Sequence, residues 1–365
     1  MPAFKNIAKN FIQFVLFLGV GVGILYFVFR KQQAAYQAQC ALDAANGIEV
    51  EHTDLLDKVI YDFSNANFYW IGLVVLLFVI SNFSRAARWK MLLKPMGYRP
   101  RYINLLFSIF IGYIANLGLP RLGELIRATS LAKVEKVPVE KVVGTIVVDR
   151  IVDMISFVLV FAIAMIFESD TLFNYLAEKG NLPGKALLTN PIFWIVGVSA
   201  LGLVVYLFKN RQKFSHNIIY KKVSNIVKGL VEGIKTISQL DNIPGFLFHS
   251  LVIWVMYYLM TYLCFNAFEP TSHLGPQAGL LVFVFASLGM IVPSPGGMGT
   301  YHAMVVAGLS LYGINEGDSF SFANIIFFAI QIFGIAILGL LSWILMPIYN
   351  RNYVPKHQTE LSKNN

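Results

Sequence analysis

INLLFSIFIGYIANLGLPRLGELIR, residues 103–127, runs apolar from Ile103 to Leu119, then breaks at Leu119-Pro120 into a segment carrying Arg121, Glu124 and Arg127. Whether this stretch crosses a membrane sets the side of every loop after it. The segment before it, 84–102, holds Arg85, Arg88, Lys90, Lys94, Arg99 and Arg101 with no acid. The segment after it, 120–141, holds five bases (Arg121, Arg127, Lys133, Lys136, Lys141) against three acids. Short cytoplasmic loops collect Lys and Arg, so both segments read as cytoplasmic. A full crossing between them would flip all later loops and put the seven bases and two acids of 209–245 outside. The economical reading is that 103–134 enters from the cytoplasm, breaks at Leu119-Pro120 and returns to the same side as a re-entrant helical hairpin.

The rest of the chain supports a lipid setting. Its 365 residues are 56% hydrophobic and 13% charged, with a mean hydropathy of +0.62. Soluble domains carry about 25% charged residues. A helix needs about 20 apolar residues to cross the hydrocarbon core. Runs of that kind are Phe11–Phe29, Phe68–Phe83, Val142–Phe167, Pro191–Phe208, Phe246–Phe268 and Phe322–Met346. The first follows Lys5 and Lys9 but has no small-x-small site after it, so it reads as a retained span rather than a cleaved signal peptide. Cys40 falls in an expected external loop and Cys264 in a span, which suggests neither a disulfide framework nor a metal site. The net charge of +9 sits beside the spans, where anionic lipid headgroups, not nucleic acid, are the expected counter-charge.

Segments 30–67 (six acids, three bases), 168–190 (three acids, two bases) and 314–320 (Glu316, Asp318) read as external. Segment 30–67 is expected to be partly helical around Asp54–Phe63 and is a candidate to meet a periplasmic partner. A second break interrupts 277–313 at Val292-Pro-Ser-Pro-Gly-Gly-Met-Gly299, with helix-compatible residues resuming over Thr300–Tyr312. Such a turn cannot continue a lipid-facing helix, because the freed backbone groups would lack partners. With acidic loops on both flanks, this hairpin enters from outside. The order is then span, span, cytoplasmic hairpin, span, followed by span, span, external hairpin, span. Three crossings per half turn the second half upside down, which is the inverted-repeat plan of transporters. The expected fold is an all-α polytopic membrane protein of about six transmembrane helices plus two re-entrant helical hairpins in an inverted repeat. Its transmembrane domain covers 1–350, with halves 1–167 and 191–350, and 351–365 is a short cytoplasmic tail.

Of the 29 basic and 20 acidic residues, only Asp149, Arg150 and Asp153 fall inside an expected span. Charge at that depth costs several kcal/mol unless paired or hydrated, so these three form a candidate polar cluster. Asp149 and Asp153 share a helix face, and Arg150 reaches Asp153 three residues on. They either dock the helix through an internal ion pair or line a polar cavity. In the first hairpin, Arg121, Glu124 and Arg127 lie along one face near a helix N-terminus, whose free N–H groups and two guanidiniums suit a phosphate. The alternative is that both arginines snorkel to the interface while Glu124 neutralises them.

The second hairpin joins backbone-exposing Pro295, Gly296, Gly297 and Gly299 to the polar Ser294, Thr300, Tyr301 and His302. It lacks the GxxxxGK[ST] pattern of a nucleotide loop. His302 is either a structural hydrogen bonder or a proton-linked group. Along Ile218–Leu240 an apolar stripe with lysines off it suits either an interfacial helix or packing under the bundle. Arg85, Arg88 and Trp89 read most simply as interfacial anchors. No catalytic residue pair, metal cluster or cofactor motif is evident.

Pro120-Arg-Leu-Gly-Glu-Leu-Ile-Arg127, Asp149-Arg-Ile-Val-Asp153 and Pro295-Gly-Gly-Met-Gly299, in that order and over roughly 65–350, resemble the lysylphosphatidylglycerol synthase transmembrane region, the flippase-like domain family. The resemblance implies a bacterial or archaeal inner-membrane protein that moves lipids, with N and C termini cytoplasmic. Arg121, Glu124, Arg127, Asp149, Arg150, Asp153, Pro295, Gly296, Gly297 and Gly299 match the family pattern. His302 departs from it, because many members carry an acid soon after the glycines. The chain ends at Asn365 without the family's aminoacyltransferase domain, so a stand-alone member is expected and lysine transfer is not implied. The expected function is a lipid translocase binding an anionic phospholipid or polyprenyl-phosphate headgroup in an intramembrane polar cavity. The expected partners are membrane lipids and a glycosyltransferase or lipid-modifying enzyme. The alternative is an integral-membrane enzyme or accessory subunit of lipid or glycan biosynthesis.

Overall fold

A computed structural model describes residues 23, 25–42, 44–45, 53–118, 122–180 and 237–355. Among these, four helices are long and apolar enough to cross a membrane: Phe68–Met96, Val139–Thr171, Ile243–Ala267 and Glu316–Tyr349. They coincide with four of the six expected spans, and the chain is a multi-pass helical membrane protein. Pro191–Phe208, most of Phe11–Phe29 and of Ile218–Leu240, and the Leu119-Pro120 break lie outside the described residues.

The chain divides into two compact units, Met1–Ile146 with Pro244–Asn365, and Val147–Ile243. In the first, α1 (25–42) precedes α2 (Leu55–Asn65), which the Asp54 carboxylate caps at Leu56 N, 2.8 Å away. The span α3 (Phe68–Leu93) starts at an Asn67 cap. A short hairpin pair follows, α4 (Tyr102–Gly118) and α5 (Leu122–Glu135), and then α6 (Val139–Gly180), most of which forms the second unit. Returning to the first unit, α7 (Ile243–Cys264) leads to α8 (Pro276–Ile291) and α9 (Thr300–Ser310). The last span comprises α10 (Glu316–Phe328), a π-helical stretch Ala329–Ile337, and α11 (Leu338–Tyr349).

Close approaches fix the directions of these helices. Asn67 N donates to Ala267 O at one end of α3, and Arg88 Nη1 donates to Ser250 Oγ towards the other, so α3 and α7 run antiparallel. A methyl group built on Gly112 of α4 would meet Arg127 Cβ of α5 at 2.8 Å, and Gly123 N of α5 donates to Asn116 Oδ1 of α4 at 2.9 Å. These two helices therefore form an antiparallel pair whose contact only glycine allows. In the second pair, Gly289 of α8 lies against Thr300 and Tyr301, and Gly308 of α9 lies against Phe285 and Val282. Each pair follows its span, α3 or α7, and opens at the end where that span finishes. Because α3 and α7 are antiparallel, the pairs open at opposite ends of the unit.

Both ends are tied. At the open end of α4/α5, buried Glu135 accepts from Arg101 N (2.9 Å), Asn104 Nδ2 (2.6 Å) and Tyr353 Oη (2.8 Å). Asn350 Nδ2 donates to Asn104 Oδ1 at 2.7 Å, and Arg101 stacks 3.8 Å from the Tyr353 ring centre. At the other end, Lys58 of α2 bridges Asp62 (2.9 Å) and Asp318 of α10 (2.7 Å).

Several boundaries differ from the sequence reading. Helix α6 continues to Gly180, beyond the expected end at Phe167, because 168–179 contains neither Pro nor Gly to stop it. Cys40 lies buried on α1. The last span starts at Glu316, where the Asn315 cap and the acids of the first turn suit a helix N-terminus.

Candidate functional site

The site begins with Arg127, which α5 directs inward. It is only 1% exposed, its guanidinium lies 3.9 Å from the centre of the Trp89 ring, and Nη1 is 3.5 Å from Glu124 Oε2. A desolvated cation over tryptophan is worth about 2 kcal/mol. Arg127 is thus held inside the protein, with Glu124 beside it. The Trp89 ring is itself fixed, since its indole N–H donates to Thr145 Oγ1 at 2.9 Å. Arg121 lies outside the described residues.

Arg85, Arg88 and Trp89 correct the interfacial-anchor reading, because all three are buried. Arg85 Nη2 donates to Tyr257 Oη at 3.1 Å, and Arg88 lies 5.9 Å from the Phe246 ring centre as well as reaching Ser250. Their inward direction comes from α3 continuing as a helix to Leu93, which carries them along the face that meets α7 and α5. Hydropathy placed them in a loop because it counts charge and not contact.

The turn between α8 and α9 is built from glycines at positive φ: Gly296 (57°), Gly297 (79°) and Gly299 (81°). Pro295 opens it, and Ser294 Oγ and Thr300 Oγ1 share a hydrogen bond of 2.9 Å across it. A methyl group built on Gly296 would lie 2.9 Å from Leu117 Cδ2, near the tip of α4. The last turn of α4 thus meets the turn between α8 and α9. Gln331, in the π-helical stretch, donates from Nε2 to Gly296 O at 2.8 Å, while its buried Oε1 accepts no hydrogen bond among the described residues. Short π-helical segments inside α-helices are frequent at functional sites, and this nine-residue stretch carries the buried amide that holds the turn.

His302 is buried one turn into α9, with its ring centre 4.6 Å from that of Phe327 and 5.8 Å from that of Phe320. In the second unit, Asp149 is buried, and Arg150 Nη1 lies 3.5 Å from Asp153 Oδ2, the pairing its spacing allows. Asn116, Gln331 and Glu135 escaped the sequence reading. Isolated amides and a loop acid carry no periodicity, and the only available signal was a polar residue within an apolar run. Among the described residues no group of three or more His, Cys, Asp or Glu comes together to hold a metal ion.

Residues 55–339 match the family described as the lysylphosphatidylglycerol synthase TM region. A UPF0104 membrane protein of Methanocaldococcus jannaschii is 22% identical over 287 residues, covering 71% of this chain and 80% of that protein. A UPF0104 membrane protein of Pyrococcus horikoshii is 24% identical over 260 residues, covering 67% and 77%. No solved structure matches the chain. The family match takes in α2 to α10, the π-helical stretch and the glycine turn between α8 and α9, and the chain belongs to the lysylphosphatidylglycerol synthase transmembrane-region family.

Proposed function

We propose that the protein is a lipid translocase whose helix pairs α4/α5 and α8/α9 are re-entrant hairpins of an inverted repeat. An anionic phospholipid or polyprenyl-phosphate headgroup passes between them while its tails stay in the bilayer. The observation that carries this reading is the meeting of Leu117, in the last turn of α4, with Gly296 in the turn between α8 and α9, with Gln331 holding that turn. Irregular backbone at such depth is tolerated only where protein buries it or it lines a wet cavity.

Arg121, Glu124 and Arg127 bind the phosphate, with Trp89 fixing the plane of the Arg127 guanidinium. The turn at Ser294 to Gly299 offers backbone and hydroxyl groups to the same headgroup, and Asp149, Arg150 and Asp153 form a polar cluster within the second unit. Rocking of one half against the other exposes the path to either leaflet. The sequence carries no ATP-binding motif, so the movement is passive or ion-coupled. The protein sits in the cytoplasmic membrane of a bacterium or archaeon with both termini inside, and serves a glycosyltransferase or lipid-modifying enzyme.

Reconstitution into vesicles with fluorescent phospholipids and polyprenyl phosphates tests the proposal. Wild type is expected to move at least one of these lipids between leaflets, and Arg127→Ala and Asp153→Ala to move it slowly. Unchanged asymmetry for every lipid refutes translocation. A chemically altered lipid favours an integral-membrane enzyme instead.

A further inference from the structure

Helix α2 is fastened on one face and bare on another. Leu55 is fully buried, its N–H donates to Gln33 Oε1 at 2.9 Å, and Lys58 and Asp62 tie the same helix to Asp318. Leu56, Val59, Ile60 and Phe63 follow the i, i+3, i+4, i+7 spacing of an apolar stripe, which in a soluble protein would face the core. Here Leu56 is 53% exposed and Ile60 is 60% exposed. The stripe forms one wall of a cavity of about 660 Å³, with Leu25 and Phe29 of α1 and Phe320 and Phe328 of α10 completing it.

Phe320 and Phe328 are eight residues apart, so the cleft extends about 12 Å along α10 at 1.5 Å per residue. It lies at the Glu316 end of that span and continues onto apolar surface at Tyr26, Phe27 and Phe328, all exposed. Among the described residues its polar lining groups are the Tyr26 hydroxyl, Ser64 and Asn324. The volume falls within the range of about 300–1,000 Å³ typical of small-molecule sites.

We infer that this cleft holds one hydrocarbon chain of a bilayer lipid, as a site separate from the meeting tips of the helix pairs. Three observations favour a lipid chain. The walls carry no charged side chain, the cleft is continuous with the apolar surface of a membrane-crossing helix, and α2 presents its apolar stripe to that space while its charged face is engaged with α10. A second copy of this chain is disfavoured as occupant, because the surrounding segment 30–67 carries six acids against three bases and would repel its own image. The Lys58 bridge to Asp318 acts as the clasp that keeps α2 over the cleft. Retention of the lipid requires no translocation, so the two proposals fail independently.

The test is native mass spectrometry of the full chain after detergent extraction from phosphatidylcholine vesicles, with a photoreactive group midway along the acyl chain. Wild type is expected to retain one lipid per chain and to be labelled on α1, α2 and α10. Val59→Trp, which fills the cleft, and Ser64→Trp, at its lining, are each expected to lose that lipid, and Lys58→Met to lose it by freeing α2. Trp343→Ala, on the exposed face of α11, is expected to retain it. The inference is overturned if wild type keeps no lipid, if Val59→Trp and Ser64→Trp both keep it while remaining folded, or if label falls as heavily around Trp343 as in the cleft. A photoreactive residue at Ile60 that crosslinks to a second copy or to another segment of the same chain overturns it in favour of a polypeptide occupant.

Discussion

Leu117, near the tip of α4, lies so close to Gly296, in the turn between α8 and α9, that a methyl group on Gly296 would come within 2.9 Å of its Cδ2. The two residues are far apart in sequence and belong to helix pairs opening at opposite ends. Gly296 also has φ of 57°, a region in which an L side chain costs about 1–2 kcal/mol. Gly296→Ala is therefore expected to lower stability by at least that amount and to slow lipid movement, whereas Leu117→Ala relieves the contact and has a smaller effect on lipid movement. Thermal unfolding in detergent and the vesicle assay measure both.

Arg127 over Trp89 makes a second prediction. Arg127→Lys keeps the charge but loses the planar guanidinium that stacks on the ring and grips a phosphate in two places. It is expected to behave nearly as poorly as Arg127→Ala in lipid movement. Trp89→Phe keeps a ring face but drops the hydrogen bond to Thr145, at a cost of about 1 kcal/mol. Equal transport by Arg127→Lys and wild type would remove the stacked geometry from the mechanism.

Gln331→Leu strands Gly296 O without its donor, which costs about 1–3 kcal/mol for a buried acceptor. It also removes a buried Oε1 that had no partner of its own, so the net loss of stability is expected at the low end of that range. Lipid movement should fall by more than the stability change accounts for, because the turn loses its support from the last span. A Gln331→Leu variant with normal transport would show that the turn is held by its glycines and Ser294 alone.

The end ties set the response to pH. Burial disfavours the Lys58 ammonium, but hydrogen bonds to Asp318 and Asp62 outweigh it and hold the group above the usual lysine range. Burial and the bond to Glu135 likewise raise the Tyr353 hydroxyl above the ordinary tyrosine value. A raised group contributes its full stability below its unfolded value, about 10 for both, and loses it as pH rises through the folded value. Both ties are thus expected to hold unchanged from pH 6 to 9 and to weaken only above about 10. Tyr353→Phe, which lacks the hydroxyl, should lower stability at neutral pH by about 1.5–3 kcal/mol, as expected for a bond to a charged group. Differential unfolding of wild type and Tyr353→Phe across pH reads this out.

The four spans that the structure describes were legible because a long apolar run has few other uses. Charge counting marked 103–134, and the proline–glycine break marked 277–313, as unlike the spans, and both fold as short antiparallel pairs. It failed where a helix carried charge inward. Arg85 and Arg88 resemble a basic loop in any window, yet α3 runs through them and buries both. The meeting of Leu117 with Gly296 had no sequence trace beyond the glycines, and the π turn around Gln331 had none, since a single extra residue per turn leaves the apolar pattern nearly intact.

The opposite orientation of the two helix pairs underlies every role proposed for the tips. With Cys40 and Cys264 replaced by Ala, single cysteines at Lys133→Cys near the open end of α5 and Tyr312→Cys just past α9 can be probed with a membrane-impermeant thiol reagent in intact cells and inverted vesicles. Lys133→Cys is predicted to react only in inverted vesicles and Tyr312→Cys only in intact cells. Reaction of both from the same side would contradict the inverted arrangement, and with it the passage of a headgroup between the two tips.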